Sequence, residues 1–310
     1  MSEIIVEQAV LLGRREGDYH ICARSPGFAE EWVSSVEKIC AAFGRPPAGA
    51  SCPLSLYVQP LGRSHIAVVQ VSAAPGVSEG ELAFHVLVLR EDDYSGLGGD
   101  PFAVAERCPA AWQARGALPA LTWPRVPFPP RSFQQVRQVL KRADGPNLLG
   151  GAQVLLDGGK LVFERAEPDP QVLRDLWMLL PTRSRSEMWP ATFAFGNSPR
   201  FHAIVVPSGL PEKAAAEFPH YLTDEQAGDY PEGRYELKLQ TAAEEGDQEG
   251  LDRLFARRTT GEIWKLGLLL LAGMVLIPIL IRWIGGPTVR KEPTHSGSAS
   301  GSTEPGSAKP

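Results

Sequence analysis

Six histidines and four cysteines have the widest chemical reach in this 310-residue chain, because imidazole and thiolate serve as base, nucleophile or metal ligand. His20, His65, His85 and His202 fall within or beside expected strands, and none belongs to an HExxH or other ligand-spaced cluster. Cys22, Cys40, Cys52 and Cys108 are scattered, and Cys40 lies on an apolar helical stripe, so they read as reduced, packed thiols. A cysteine that meets a histidine in the fold would instead be a nucleophile with its base. Ser25, in Arg24-Ser25-Pro26-Gly27, stands between a strand and a helix, where hydrolases place a nucleophile. The GxSxG elbow is absent, however, and Ser followed by Pro suits a helix cap.

Three further groups carry charge or exposed backbone. The Gly96-Leu97-Gly98-Gly99-Asp100 loop offers backbone N–H groups to a phosphate, but no Lys-Ser/Thr pair follows and no GxGxxG is completed, so it reads as a turn. Glu91, Asp92 and Asp93 cluster after a strand without a DxDxDG loop and read as solvated charge. Arg183 and Arg185 follow a helix and are the candidate contacts for an anionic partner, although cations at a helix C-terminus are favourable in any case. No residue is assigned a catalytic, cofactor-binding or metal role, and no cofactor is expected.

The elements that must position these groups divide the chain. Residues 1–131 read as a β-rich domain with one long helix. Ile4–Leu12 and Tyr19–Ala23 form a strand pair, and Leu54–Gln59, His65–Ser72 and Leu82–Leu89 supply further strands. The helix is capped by Ser25, starts at Pro26, and presents Phe28, Trp32, Val36, Ile39, Cys40 and Phe43 on one stripe. A Pro- and Trp-rich connection from Asp100 to Arg131 ends the domain. Residues 132–240 read as a small α/β domain: Ser132 caps one helix, Asn147–Leu156 is a second, and Asp169-Pro170 opens a third that ends at Pro181. Lys160–Glu164, Ala191–Phe195 and Phe201–Val206 are its strands.

Residues 241–263 read as a juxtamembrane helix or linker. Leu266–Ile281 then runs sixteen residues without a charge. With its flanks, residues 264–284 would span about 30 Å at ~1.5 Å per residue, the thickness of a hydrocarbon core. Trp264 and Trp283 at the borders, with Lys265 and Arg282 able to snorkel, complete the pattern of a transmembrane anchor. Residues 285–310, rich in Gly, Ser and Pro, read as a disordered tail. The N-terminus carries acids where a signal peptide needs basic residues, which would leave the N-terminal region cytoplasmic. A net charge of −5 argues against nucleic acid as a partner, because such binders concentrate positive charge.

Two stretches resemble a known family. EQAVLLGRREGDYHICARSPGFAEEW (residues 7–32) is similar to the N-terminal domain of bacterial GTPase-associated proteins, in which a strand pair leads into a Ser-Pro-Gly turn and a helix. Leu179-Leu180-Pro181, Arg185 and Ala191-Thr192-Phe193-Ala194-Phe195 resemble the middle domain of the same group. The resemblance implies an accessory protein of a conflict system, with a GTPase as candidate partner and no enzymatic residues to carry over.

The expectation is therefore an α+β cytoplasmic region with a single C-terminal transmembrane helix and a disordered tail. It would be a tail-anchored, single-pass protein of the bacterial inner membrane, tethered to the lipid bilayer and acting as an adaptor or scaffold. The alternative is a membrane-anchored hydrolase with a Ser or Cys/His site.

Overall fold

The computed structural model describes residues 3–15, 18–44, 46, 54–73, 82–108, 116–126, 129–209, 216–256 and 274. Eleven described strands join one mixed sheet in the order β11-β8-β10-β9-β3-β4-β5-β1-β2-β6, with β7 paired to β1 off this path. The first half is antiparallel: β1 (Glu3–Arg15), β2 (Asp18–Arg24), β3 (Ser55–Leu61), β4 (His65–Ala73) and β5 (Leu82–Arg90) pair as neighbours. β6 (Gly116–Ala117) adds to β2, and β7 (Leu121–Pro124) pairs with residues 3–6 of β1. The second half is parallel, from β8 (Lys160–Arg165), β9 (Pro190–Ala191), β10 (Ala203–Pro207) and β11 (Tyr221–Thr223).

The two halves meet at β3 and β9, where Tyr57 lies opposite Ala191. Side chains reinforce this seam. Leu56 N–H donates to Thr192 Oγ1 at 2.8 Å, and Ser55 Oγ donates to the Phe193 carbonyl at 2.6 Å. Residues on either side of position 131 thus share one sheet, and residues 1–259 cluster as one compact unit.

Helix α1 (Glu30–Ala41) buries Val36 and Cys40. The following Phe43 stacks on Tyr57 and meets Phe84 edge-on. The helix starts four residues later than the Ser25–Pro26 signal predicts, with Ala29 at its N-cap and no side-chain cap. Ser25 is held by β1 instead. Its N–H donates to the Gln8 carbonyl at 2.9 Å, its Oγ accepts from Gln8 N–H at 2.9 Å, and its hydroxyl donates to Glu7. A hydrogen bond to a strand 17 residues away has displaced the local cap.

Beyond β5 come α2 (Glu91–Gly96) and α3 (Pro101–Glu106), then α4 (Phe133–Leu140), α5 (Gly145–Leu156), α6 (Pro170–Leu179) and α7 (Thr182–Glu187). The expected caps appear: Ser132 and Gln135 form a capping box on α4, and Asp169 accepts from two N–H groups of α6. Helix α5 is the most buried, and Gly150 lets α8 (Asp224–Gly228) press onto it. A Cβ at Gly150 would stand 2.0 Å from the Ala227 carbonyl oxygen.

Residues 242–256, expected to form a membrane-proximal element, end α9 (Arg234–Glu245) and supply α10 (Gln248–Phe255). Gly246, at φ 75°, separates the two helices in a left-handed cap. Leu251 and Phe255 of α10 are buried against the body.

Among the described residues no helix is long and apolar enough to cross a membrane. The longest have 12 residues, about 18 Å at ~1.5 Å per residue, against ~30 Å of hydrocarbon. This corrects the expected single C-terminal transmembrane helix, and with it the single-pass, tail-anchored placement in a bacterial inner membrane. Trp264, Lys265, Arg282 and Trp283 lie outside the described residues, as does the expected tail.

Candidate functional site

Two groups of residues read separately in the sequence meet in space. The Gly96–Asp100 loop and Arg185 line one cleft of about 660 Å³, walled by α3, α6 and α10 and by the Pro129–Arg131 stretch. Asp100 is the hinge of this arrangement. Its carboxylate accepts from Phe102 and Ala103 N–H at 3.0 and 3.1 Å, capping α3, while its other oxygen pairs with Arg185. Arg185 is only 5% exposed, so it is a structural cation rather than a surface contact. Arg183, one helical face away, is exposed.

The glycine loop does not cradle an anion. Gly98 N–H donates to the Ser95 carbonyl, Gly99 N–H to that of Tyr94 and Leu97 N–H to that of Asp93, so these donors close the turn itself. Gly99 serves packing: it sits at φ 61°, and a Cβ there would lie 2.5 Å from Ser186 N of α7.

Arg131, which sequence reasoning missed, organises the cleft floor. Its guanidinium donates to Met178 O at 2.8 Å, to Leu180 O and to Thr182 Oγ1 at 3.0 Å, and it lies 3.6 Å over the Phe255 ring. It thereby satisfies the last carbonyls of α6 and docks α10. Burial, and secondarily the charge of Arg185, pulls its pKa down to about 9, so it remains a cation at neutral pH. Gln248 locks α10 from the other side, donating to Arg131 O at 3.0 Å and accepting from Phe133 N–H at 2.8 Å. No local pattern announces Arg131, whose hydrogen-bond acceptors lie 46 to 51 residues away.

The remaining lining mixes apolar Leu97, Phe102, Met178 and Phe255 with polar Gln135 and Thr182 and with the exposed carboxylate of Asp252, which accepts from Gln248. At the rim Arg174 pairs with Glu106, with side chains 40% and 60% exposed, and the Arg174 guanidinium lies 5.2 Å over the Phe102 ring. The buried cations are thus committed to the fold, while the rim pair stands in solvent.

The other candidates are placed as follows. Asp93 is buried and bridges Arg90 and Arg125, so the Glu91–Asp93 cluster is partly a structural ion network. Cys40 is fully buried, and burial pushes its thiol well up. Cys52 lies outside the described residues. Two Cys–His pairs form: Cys22 Sγ lies 3.2 Å from His20 Nε2, and Cys108 Sγ lies 3.5 Å from His85 Nδ1. His202 Nδ1 accepts from Trp189 N–H at 3.1 Å, and burial lowers its pKa to about 4. No group of three or more His, Cys, Asp or Glu able to hold a metal ion occurs among the described residues. No family model matches the chain, and no curated protein matches it.

Proposed function

We propose that this chain is a protein-binding adaptor that takes an acidic, partly apolar segment of its partner into the cleft between α3, α6 and α10. The observation that carries this reading is the composition of the cleft: Leu97, Phe102, Met178 and Phe255 stand beside a solvent-exposed ion pair, Arg174–Glu106, on a floor fixed by Arg131, with Asp252 on the α10 side away from the segment's carboxylate contact at Arg174. An exposed ion pair contributes only about 0–1 kcal/mol, so a partner carboxylate replaces Glu106 on Arg174 with little loss. Apolar side chains beside that carboxylate then supply most of the binding energy, at about 25 cal/mol per Å² of apolar surface buried. The resemblance to GTPase-associated proteins supports a GTPase as the partner.

The test is photo-crosslinking in cells. A benzoylphenylalanine placed at Glu106, on the rim, is expected to capture a partner, and one at Lys238, on α9, is not. Equal capture from both positions, or none from 106, overturns the assignment of the cleft. A captured protein that binds no guanine nucleotide overturns the GTPase part alone.

A further inference from the structure

We propose that the cavity between α4 and α9 binds a small zwitterion, a free amino acid or short peptide whose ammonium group goes to Glu236 and whose carboxylate goes to Arg137 and Lys141. The cavity holds about 380 Å³, within the ~300–1,000 Å³ of small-molecule sites, and it shares no lining residue with the cleft between α3, α6 and α10. Binding there does not depend on the adaptor reading.

The two walls carry opposite charge. Arg137 and Lys141 stand one helical turn apart, on α4 and at its C-cap, and both are exposed. Facing them are Glu236 and Glu244 of α9, with Glu232 just before its N-cap Gly233. Like charges one turn apart repel, and each wall holds such a pair, Arg137 with Lys141 and Glu232 with Glu236. Opposite charges that line one cavity relieve that repulsion if they meet. These do not: among the described residues neither Arg137 nor Lys141 forms an ion pair, and the carboxylates have only neutral partners. Glu244 accepts from Gln240 at 2.9 Å, and Glu236 accepts from Gly233 N–H at 3.3 Å. The dipole of α9 favours acids at its start, but it disfavours Glu244 in a last turn that has no basic residue.

Helix packing keeps the walls apart. α4, α5 and α9 rest on one another, and buried Leu149 of α5 and Ala243 of α9 give the cavity an apolar floor. Tyr230 lines it as well, its hydroxyl donating to Asp157 at 3.4 Å. Half-buried Glu236 lacks a cation: burial, and secondarily the charge of Glu232, raises its carboxyl above the ordinary value against the pull of Gly233 N–H. An ammonium group at Glu236 relieves both effects, and a carboxylate between Arg137 and Lys141 relieves the repulsion on the other wall. A ligand of one sign would leave the opposite wall uncompensated. A zwitterion answers both, and its apolar middle covers Leu149 and Ala243.

The test is saturation-transfer NMR of the full chain with the tripeptide Ala-Leu-Ala, its N-acetylated form and its C-amidated form as probes. The free tripeptide is expected to bind at millimolar concentration or below, and blocking either terminus to weaken it at least ~10-fold through loss of one charge-assisted contact. Glu236→Gln keeps an acceptor for Gly233 N–H; it is expected to weaken the free peptide by a similar factor and the N-acetylated form no further. Arg137→Gln combined with Lys141→Gln is expected to do the same for the free peptide, and to weaken the C-amidated form no further. Absence of saturation transfer from millimolar free tripeptide, or blocked peptides that bind as well as the free one, overturns the proposal. So does loss of binding on Arg174→Ala, which would put the peptide in the cleft instead. The comparison of free and blocked peptides on the wild type decides the matter even where a variant fails to fold.

Discussion

Replacing Gly99 by Ala perturbs the contact that sets α7, and with it Arg185, against the α2–α3 turn. The new Cβ would meet Ser186 N at 2.5 Å, Ser186 Oγ at 2.7 Å and Ser186 Cα at 2.8 Å, two of them backbone atoms that cannot rotate away. The φ of 61° adds the left-handed penalty of about 1–2 kcal/mol for a residue with a Cβ. Overpacking a tight contact costs a further ~1–3 kcal/mol. The sum is about 2–5 kcal/mol. Gly98→Ala is the internal control: its φ is 81°, but its nearest neighbour is Thr182 Cγ2 at 3.7 Å, so only the conformational part applies. Urea unfolding of both variants, followed by tryptophan fluorescence, is expected to show Gly99→Ala less stable than Gly98→Ala by about 1–3 kcal/mol. Equal losses would refute the reasoning that this turn is glycine-rich in order to admit α7.

Asp100→Ala removes the α3 cap and strands Arg185 in the interior, and is expected to lower stability by about 3–5 kcal/mol in urea titration. Arg174→Ala, at an exposed pair, is expected to change it by less than about 1 kcal/mol in the same assay. His85 and His202 both have folded pKa values lowered by burial to about 4, below the ordinary 6.5. The unfolded chain therefore takes up more protons between those values, so stability is fully present above pH 6.5 and is lost as pH falls toward 4. The loss is at most about 3.5 kcal/mol per histidine, at ~1.4 kcal/mol per pKa unit. Unfolding midpoints at pH 7, 6 and 5 are expected to fall more steeply for the wild type than for His202→Gln.

Where structure follows from neighbours in the chain, the sequence is a faithful guide. The Val- and Leu-rich run at Leu82–Leu89 marks β5, Ser132 with Gln135 marks the start of α4, and Asp169-Pro170 marks α6. Where distant residues compete, local signals mislead. Ser25 has the identity and position of a helix cap, yet the backbone of β1 offers it better partners, and α1 begins later. The strand expected over Ala191–Phe195 shortens to Pro190–Ala191, because its neighbour β3 lies some 135 residues earlier and Thr192 uses its hydroxyl to bond Leu56. The site follows the same rule. Asp100, Arg131 and Arg185 cohere only once α3, α6 and α10 are packed, and the Cys108–His85 contact has no spacing that a linear reading would single out.

The most direct test of the adaptor reading is the affinity of the partner captured at position 106 for the full chain, measured by isothermal titration calorimetry. Arg174→Glu is expected to weaken binding at least ~10-fold, with a further loss on raising salt in the wild type, whereas Lys238→Glu leaves it unchanged. Unaltered binding by Arg174→Glu, or an equal loss from Lys238→Glu, would contradict the assignment of the cleft as the docking site.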